Sequence, residues 1–448
     1  MAALDKFTPD HAIVDKTSPP SDEGLPTGFD AGQEVALKKI TKISSTLTVL
    51  VSGLALFSDG YNAQIIGYME PLFSKLYKEG MSSTIKTRLS NSYLIGEIFG
   101  MLFLGFLIDK IGRRTGIVFA TLFLVLGVII ATAAHGTTQL GMFWMMIVGR
   151  GIAGFGAGGE YPTCGTGSAE ASDESQYVRR RRGILVAMAT DFAIDLGFVV
   201  AGIVALIVLA AYHEQTSDGV WRVCFGLGFV LPVTYPFGIF SSTIIGSLNP
   251  NDTLVQNIGY GTVVNAFYLP GCIVGGFLMD WIGRKQTMTL GFVCWAIMGF
   301  IIGGALGPIQ TITPLFLVLY GIFNSFGEMG PGVATFICGA ESFPTPIRGH
   351  FLGLAAAVGK AGAAIGTQVF TPIQNSFSDT EKGVQGVFLI GAAFAMVGGL
   401  ISWLLIPDRE RDLESEDARF RAYLESAGYS GAFGESLEKE IKTTAFKL

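Results

Sequence analysis

The sequence has little charge for its length. Only 15% of its 448 residues are charged, and 50% are hydrophobic. A soluble domain of this size needs more charged side chains to cover its surface. The composition therefore excludes an ordinary soluble protein and favours one embedded in a lipid bilayer.

Cysteine is also scarce, and the motifs of common enzymes are missing. The five cysteines stand singly in apolar stretches and no C-x-x-C occurs, so neither a disulfide framework nor a zinc site is implied. The chain has no phosphate-binding loop, no cluster of metal ligands and no pair of catalytic carboxylates on a soluble scaffold. We therefore expect no enzymatic activity and no cofactor. No cleavable signal peptide is expected either, because residues 1–36 are polar.

Long apolar runs, in contrast, are abundant. They lie at about 45–71, 91–109, 115–135, 139–162, 183–211, 220–247, 258–280, 286–306, 312–337, 350–372 and 385–406. A run of about 20 apolar residues matches the hydrocarbon thickness of a bilayer. The pattern predicts an all-α polytopic membrane protein with about 11 apolar segments.

Lysine and arginine cluster in particular connections, and this sets the expected orientation. By the positive-inside rule, these connections and both termini face the cytosol. The predicted external loop 72–90 goes against the trend, because it carries four basic residues. The run Arg179–Arg182 is explained by topology, so a nucleic-acid partner has no support.

An internal repeat divides the chain into two halves. The segment G-F-L-I-D-K-I-G-R-R at 105–114 recurs as G-F-L-M-D-W-I-G-R-K at 276–285, so the offset between Asp109 and Asp280 is 280 − 109 = 171. The segment S-A-E at 168–170 recurs as G-A-E at 339–341, again at 171. Two motifs at one offset indicate two related helical bundles.

The repeat leaves too little chain between the bundles. Moved by 171 residues, the first span pairs with 216–242 and the last span with 214–235, so spans six and seven are assigned the same stretch. Only one apolar segment is available there, Val220–Ser247. We infer that a block with the end of one helix, a cytosolic loop and the start of the next is missing. The alternative is an 11-span protein with an inverted second half, which would place the basic connections of that half outside.

The expected organisation is therefore two bundles around a merged centre. Residues 1–40 form a disordered cytosolic tail, 41–219 an N-terminal helical bundle and 220–247 the merged span-six/span-seven segment. Residues 248–407 form a C-terminal helical bundle, and 408–448 form a second cytosolic tail.

The repeated motif G-x-x-x-D-x-x-G-R-R/K resembles the signature of the major facilitator superfamily. It stands between spans two and three and between spans eight and nine, and the resemblance covers about residues 40–412. It implies a fold of two related helical bundles that rock between outward-open and inward-open states. It also implies that Asp109, Arg113, Asp280 and Arg284 pair with helix ends and brace a cytosolic gate.

Two further motifs resemble a narrower group of transporters. The segment G-G-E-Y-P at 158–162 is similar to the G-G-D-Y-P of phosphate:proton symporters. Together with G-E-M-G-P-G at 327–332, it resembles the fungal glycerophosphoinositol (glycerophosphodiester) permeases. The segment that begins at Tyr235 resembles the second half of their seventh span. The chain departs from the phosphate branch at Gly332, where that branch has Asn, and it lacks the Trp and Asp that precede the tyrosine of span seven.

Three ionisable side chains fall near the middle of predicted spans. Asp59 lies about 14 residues into span one, Lys360 lies about 10 residues into span eleven, and Glu160 precedes the cytosolic Glu170 by 10 residues. A charge at this depth is costly unless it is paired or hydrated, so each is a candidate for function. Folds of this kind bind substrate at the midplane.

The candidate roles follow from charge and hydrogen-bonding capacity. Lys360 offers three donors to an anionic phosphoryl group, and the resemblance implies the same role. Asp59 and Glu160 are candidates for proton coupling, because a carboxylate beside a second anion can bind a proton together with the substrate. Tyr161 and Tyr235 can donate hydroxyl hydrogen bonds to the substrate. The alternative is an ion pair of Lys360 with Asp59 or Glu160 that only holds helices together.

Other charged residues are weaker candidates. Glu328 precedes a Gly-Pro-Gly break, where a helix interruption often borders a cavity, and it is included among the substrate-binding residues. Asp191 and Asp195 share one face of span five, where they line the cavity or pair with Arg150. Packing or boundary roles fit Glu97 and Arg222, and gate bracing fits Glu170 and Glu341.

The favoured hypothesis is a proton-coupled importer of a small anionic organic phosphate in a fungal plasma membrane. The expected substrate is glycerophosphoinositol or a related glycerophosphodiester, the coupling ion is H+, and the protein is expected to act as a monomer in the lipid bilayer. One alternative is an inorganic phosphate:H+ symporter, whereas a sugar or polyol porter has little need for Lys360. The other alternative is a non-transporting sensor or a truncated, inactive carrier, which the merged centre favours.

Overall fold

The computed structural model describes residues 46, 49–50, 55–172, 176–228, 253–377, 379–406 and 413–429. Within these ranges the regular elements are helices, as the sequence predicts. The predicted tail 1–40 and most of the merged segment 220–247 lie outside the described residues. The boundaries of the two bundles therefore stay predictions.

Each predicted apolar segment contains a described helix. In the first half, the helices of more than five residues are α1 (Leu56–Leu76), α2 (Ser83–Ile111), α3 (Arg113–Thr132), α4 (Gln139–Ala171), α5 (Arg182–Ala189), α6 (Asp191–Ala211) and α7 (Asp218–Leu227). In the second half, they are α8 (Leu254–Ala266), α9 (Tyr268–Trp281), α10 (Arg284–Gly304), α11 (Thr313–Gly327), α12 (Val333–Glu341), α13 (Arg348–Asn375), α14 (Thr380–Leu405) and α15 (Leu413–Ser426). A π-helix, Glu328–Gly332, joins α11 to α12.

The outer surface is suited to lipid. Six stretches in the described part of the chain are long and apolar enough to cross a membrane, by length and composition: Thr115–Thr132, Gln139–Ala171, Arg182–Ala211, Leu254–Trp281, Arg284–Gly304 and Thr380–Leu405. Large apolar side chains are exposed on outward faces, such as Leu122 at 60% and Leu405 at 74%. Contiguous exposed apolar surface of this kind is expected where lipid rather than water surrounds a protein.

The helix ends follow local capping chemistry. Ser82 begins α2 by accepting a hydrogen bond from the N–H of Ile85 at 3.3 Å, and a capping box of Thr253 and Gln256 begins α8. The predicted external loop 72–90 is therefore wrong, because the connection between α1 and α2 comprises only residues 77–82. Apolar runs mark the hydrocarbon core, whereas real helices extend beyond it with lysine and arginine on their ends.

The internal repeat is visible in the helix boundaries. Helix α8 begins 254 − 83 = 171 residues after α2, and α10 begins 284 − 113 = 171 residues after α3. The residue before α3 and the residue before α10 are glycines with positive φ, 87° at Gly112 and 95° at Gly283. Glycine adopts this conformation without strain, which explains the glycine of the D-x-x-G motif in both halves.

Glycines set the distance between α2 and α4. A Cβ atom on Gly96 or Gly100 would overlap the backbone of α4, and a Cβ atom on Gly154 or Gly158 would overlap the backbone of α2. Small residues permit such close contact of helices in lipid, where packing rather than the hydrophobic effect drives association. The atom that a side chain at 158 would strike is the carbonyl oxygen of Glu97, so this contact also positions Glu97.

The two halves meet in a reciprocal arrangement. Helix α2 of the first half packs along α13 of the second, while α8 and α9 of the second half pack along α6 and α5 of the first. In terms of spans, the second contacts the eleventh and the eighth contacts the fifth, as expected for two repeats related by pseudo-symmetry. Side chains on the facing surfaces of these spans line the interface between the halves.

We expect Gly100→Ala to lower the stability of the protein by roughly 1–3 kcal/mol, because the added methyl group must push α2 away from α4. Gly391→Ala on α14 is the matched control, since a Cβ atom there meets nothing within 4 Å. Thermal unfolding of both purified variants in detergent measures the effect. Equal melting temperatures would contradict the packing role of Gly100.

Candidate functional site

A buried ion pair joins the two halves. The ammonium group of Lys360 donates to Oε1 of Glu97 at 3.0 Å. Glu97 is 0% exposed and Lys360 is 6% exposed. Glu97 is the fifteenth of the 29 residues of α2, and Lys360 is the thirteenth of the 28 residues of α13. Both charges therefore lie near the middle of their spans, where lipid does not solvate them and they need partners inside the bundle.

Two further carboxyl groups lie near this pair. Oδ1 of Asp59 accepts a hydrogen bond from the Tyr93 hydroxyl at 2.9 Å, and Oε1 of Glu160 accepts one from a threonine hydroxyl at 3.2 Å. Both acids are 0% exposed. Asp59 is within electrostatic range of Glu97, Lys360 and Glu160. The group thus contains three carboxyl groups and one ammonium group, two more acids than cations; we call these four side chains the Lys360 cluster.

An aromatic pair adjoins the Lys360 cluster. The Lys360 ammonium lies 4.9 Å from the centre of the Tyr161 ring, a cation–π contact. Tyr161 of α4 stacks on Phe336 of α12 with 5.7 Å between ring centres and 14° between ring planes, so the stack also spans the two halves. The structure therefore brings together Lys360, Tyr161, Asp59 and Glu160, whose roles in substrate and proton binding stay predictions.

The ion pair is not one that the sequence analysis considered. Lys360 pairs with Glu97 rather than with Asp59 or Glu160, so Glu97 belongs to the site and not to the packing or boundary charges. The reason lies in the helix boundary. The apolar run begins at about residue 91, which places Glu97 near the membrane surface, whereas α2 begins at Ser83 and Glu97 falls at its centre. The serine cap at the start of α2 is the signal that would have identified this residue.

Glu328 belongs to a different group of side chains. Its Oε2 lies 4.0 Å from the Cys272 thiol, and that thiol donates to Oδ2 of Asp195 at 3.0 Å. The predicted pairing of Asp191 or Asp195 with Arg150 is absent from the described ion pairs. Glu328 is therefore placed beside acids from span five and not beside Lys360.

The aspartates of the repeated motif bind helix ends across the interface between the halves. The carboxylate of Asp109 accepts hydrogen bonds from the N–H groups of Gly349 and His350 at 3.3 and 2.8 Å, at the start of α13. The carboxylate of Asp280 accepts from the N–H groups of Gly183 and Ile184 at 2.7 and 3.1 Å, at the start of α5. A carboxylate satisfies the free donors of a helix N-terminus and interacts favourably with its dipole.

Ion pairs at the same membrane side reinforce these contacts. Arg348 pairs with Glu170 at 3.1 Å, and both Arg182 and Arg284 pair with Glu341, at 3.1 and 3.2 Å. The Arg348 and Arg182 pairs connect the two halves, and both arginines are at most 3% exposed. The positively charged connections therefore lie on the side where the halves are held together, which is the arrangement expected of a closed cytosolic gate.

The remaining predicted residues fall outside these groups. Tyr235 and the side chain of Arg113 lie outside the described residues. Arg222 donates to the carbonyl oxygens of Thr132 and Ala134 at 2.7 and 2.9 Å, a helix-end contact that suits a boundary residue.

We expect the Lys360–Glu97 pair to behave as a coupled unit. Glu97→Gln or Lys360→Met alone should cost about 3–5 kcal/mol, because each leaves a buried charge without its partner. The double variant should recover most of this loss, since no charge is left uncompensated at that position. Melting temperatures of the three variants provide the test, and strictly additive losses would contradict it.

Comparisons with known proteins agree with this architecture. The chain matches the family described as sugar (and other) transporter over residues 47–240 and 236–415. It is 34% identical to glycerophosphoinositol permease 1 of Candida albicans, with 88% of this chain and 84% of the permease covered. It is 33% identical to glycerophosphoinositol transporter 1 of Saccharomyces cerevisiae, with 88% and 86% covered.

The first of these alignments also bears on the length of the chain. It has 447 positions but takes up 88% of this chain, which is about 394 residues, so about 53 positions face gaps in this chain. These gaps agree in kind with a block of residues missing here.

A solved structure has the same fold. The proton:xylose symporter XylE bound to 6-bromo-6-deoxy-D-glucose is 18% identical to this chain, and its TM-score is 0.67 over 84% of this chain and 98% of XylE. The two repeated bundles, their reciprocal contacts and the match over most of the sequence lead to one assignment. The chain is a member of the sugar (and other) transporter family within the major facilitator superfamily.

Proposed function

We propose that the chain is a proton-coupled importer of a glycerophosphodiester such as glycerophosphoinositol. The observation that carries the proposal is Lys360, a buried ammonium group at the interface between the halves, surrounded by three acids. An anionic phosphoryl group needs such a cation, whereas a neutral sugar does not. The names of the two fungal relatives support the same substrate class.

The geometry suggests how substrate and proton are coupled. Lys360 is held by Glu97, so a phosphoryl group must displace that carboxylate to reach the ammonium. A proton bound to an acid of the Lys360 cluster removes a negative charge, which weakens the hold on Lys360 and reduces repulsion of the incoming phosphate. Proton and substrate then occupy the cluster together, and neither binds well alone. This is the thermodynamic requirement for symport.

Opening toward the cytosol completes the proposed cycle. The contacts of Asp109 and Asp280 with helix ends must break for the halves to separate on that side. Once the substrate has left for the cytosol, Glu97 can pair with Lys360 again and release the proton. The substrate crosses without chemical change, so we propose no enzymatic activity and no cofactor other than H+. We further propose that the protein acts as a monomer in the plasma membrane with both termini in the cytosol.

Two alternatives make different predictions. An inorganic phosphate:H+ symporter would take up labelled phosphate, and excess glycerophosphodiester would not inhibit this uptake. A sensor or an inactive carrier would bind substrate without accumulating it, which the merged segment between the halves favours. Proton-linked accumulation by this chain would contradict the second alternative.

Lys360→Ala should reduce proton-dependent uptake of labelled glycerophosphoinositol at least about tenfold, because the phosphoryl group loses its charged donor. Lys382→Ala is the control, since Lys382 is exposed near the start of α14 and away from the Lys360 cluster. Uptake is measured in cells with equal amounts of each variant at the plasma membrane. Unchanged uptake by Lys360→Ala would contradict the proposed phosphate site.

Asp59→Asn should separate transport from its driving force. The amide keeps a hydrogen-bond acceptor for Tyr93 but cannot carry a proton in exchange for a charge. We expect loss of accumulation against a gradient, while exchange of labelled for unlabelled substrate across the membrane continues. Accumulation that remains sensitive to a protonophore in this variant would exclude Asp59 as the coupling residue.

A further inference from the structure

A second group of acids is buried at the interface between spans five, eight and ten. It consists of Asp195 on α6, Cys272 on α9 and Glu328 at the start of the π-helix. The carboxylate oxygens and the thiol sulfur all lie within 4.8 Å of one another. Asp195 is 1% exposed and Cys272 is 0% exposed, whereas Glu328 is partly exposed. We call these three side chains the acidic cluster.

No cation balances the acidic cluster in the described part of the chain. The charged groups near Asp195 are Glu328 and Asp191, and the one near Glu328 is Asp191, so the described surroundings of both are acidic. In the Lys360 cluster, by contrast, an ammonium group pairs with one of the acids. The acidic cluster therefore repels anions, and a phosphoryl group is excluded as its ligand.

A buried donor near the acidic cluster is left without a partner. The hydroxyl of Tyr268 has no hydrogen bond, although the residue is only 2% exposed. This hydroxyl is within electrostatic range of both Glu328 and Asp195. Buried hydroxyl groups are rarely unsatisfied, and those that are frequently mark a place where a ligand or water binds. Nδ2 of Asn324, one helical turn before Glu328, is likewise buried without a partner.

The acidic cluster occupies the place that corresponds to the Lys360 cluster in the other half. Tyr268 stands at the repeat offset from Glu97, since 268 − 97 = 171. The helix ends bound by Asp280 and Asp109 align Gly183 with Gly349, an offset of 349 − 183 = 166, and the same offset carries Asp195 to position 361, next to Lys360. The two clusters are thus the pseudo-symmetric counterparts of one another, one with a cation and one without.

The backbone at Glu328 is adapted to this arrangement. A Cβ atom at Gly332 would overlap Oε2 of Glu328, so glycine at this position makes room for the carboxylate. The π-helix widens the backbone over the same residues, and such irregular turns are frequent at functional sites.

The two clusters border one apolar interior. Tyr161, which contacts Lys360, and Tyr268 belong to the same buried apolar cluster, together with Phe198 and Phe336. Aromatic faces of this kind pack against the C–H surface of a ring or a short carbon chain. A ligand that bridges the clusters would therefore have a charged end, an apolar middle and a neutral, hydrogen-bonding end.

We propose that the acidic cluster and Tyr268 bind the hydroxyl groups of the substrate's polyol part while Lys360 binds its phosphoryl group. Carboxylates are strong acceptors for hydroxyl donors, and Tyr268 supplies a donor to a hydroxyl oxygen. The same negative charge rejects the phosphoryl group, so the substrate binds in one orientation only. This inference rests on the proposed function, and it makes the acidic cluster the element that selects polyol phosphodiesters over simpler ones.

The test compares two diesters with the same charge. Glycerophosphoinositol carries hydroxyl groups and dimethyl phosphate carries none. Dissociation constants for both are measured with full-length protein in lipid nanodiscs by ligand-induced thermal stabilisation. Glu328→Gln and Tyr268→Phe should each weaken binding of glycerophosphoinositol about tenfold, as expected for loss of a charge-assisted or buried hydrogen bond. Binding of dimethyl phosphate should change less than about twofold.

Control variants separate the possible outcomes. Glu416→Gln on α15, where Glu416 pairs with Arg419, should leave both constants unchanged. Equal weakening of both diesters, or of neither, by Glu328→Gln and Tyr268→Phe would overturn the inference. So would unchanged constants with an altered proton dependence of uptake, which would make the acidic cluster a proton site. If Glu328→Gln does not fold, Tyr268→Phe decides alone, because it removes only a hydroxyl group that makes no contact.

The proposed function has an independent readout in the same experiment. Lys360→Ala should weaken dimethyl phosphate as well as glycerophosphoinositol, because both carry the phosphoryl group. If Lys360→Ala affects neither diester, the proposed function is wrong. If it affects both while the variants of the acidic cluster affect neither, the proposed function stands and the inference about the polyol fails.

Discussion

The pair of Lys360 and Glu97 is the interaction on which the rest of the site depends. An ammonium group in the middle of a lipid-embedded bundle must have an anionic partner, and the partner comes from the other half of the chain. The two halves are therefore joined by charge at their centre and by packing around it. Any ligand that competes for Lys360 changes the strength of this connection. Substrate binding and relative movement of the halves are linked through one side chain.

The contacts at the cytosolic side have a different character. Asp109 and Asp280 each accept hydrogen bonds from the first turn of a helix in the opposite half, and buried arginines lie beside them. These contacts close the end of the interface without using substrate-binding residues. Because each half supplies one aspartate and receives one, the closure is symmetric, as expected for a fold that rocks about a pseudo-two-fold axis.

One repeated framework carries two unlike clusters. Close glycine contacts place Glu97 of α2 beside α4, and the repeat places Tyr268 at the corresponding position of α9. The chain puts a lysine in one half and an aspartate in the other at nearly equivalent positions of spans eleven and five. The interior is consequently polarised, with positive charge on one side and only acids on the other. A polarised interior favours a ligand whose two ends differ in charge.

The sequence by itself determined the class of protein, the repeat and the identity of most buried charges. Long apolar runs, the offset of 171 and the scarcity of charge in lipid are local or periodic features, so Asp59, Glu160 and Lys360 could be identified from them. The pairing of those charges was decided only by the tertiary structure. Lys360 lies 263 residues from Glu97, and Cys272 lies 77 residues from Asp195. Which side chains meet depends on how helices rotate and pack, and glycine contacts between distant helices set that rotation.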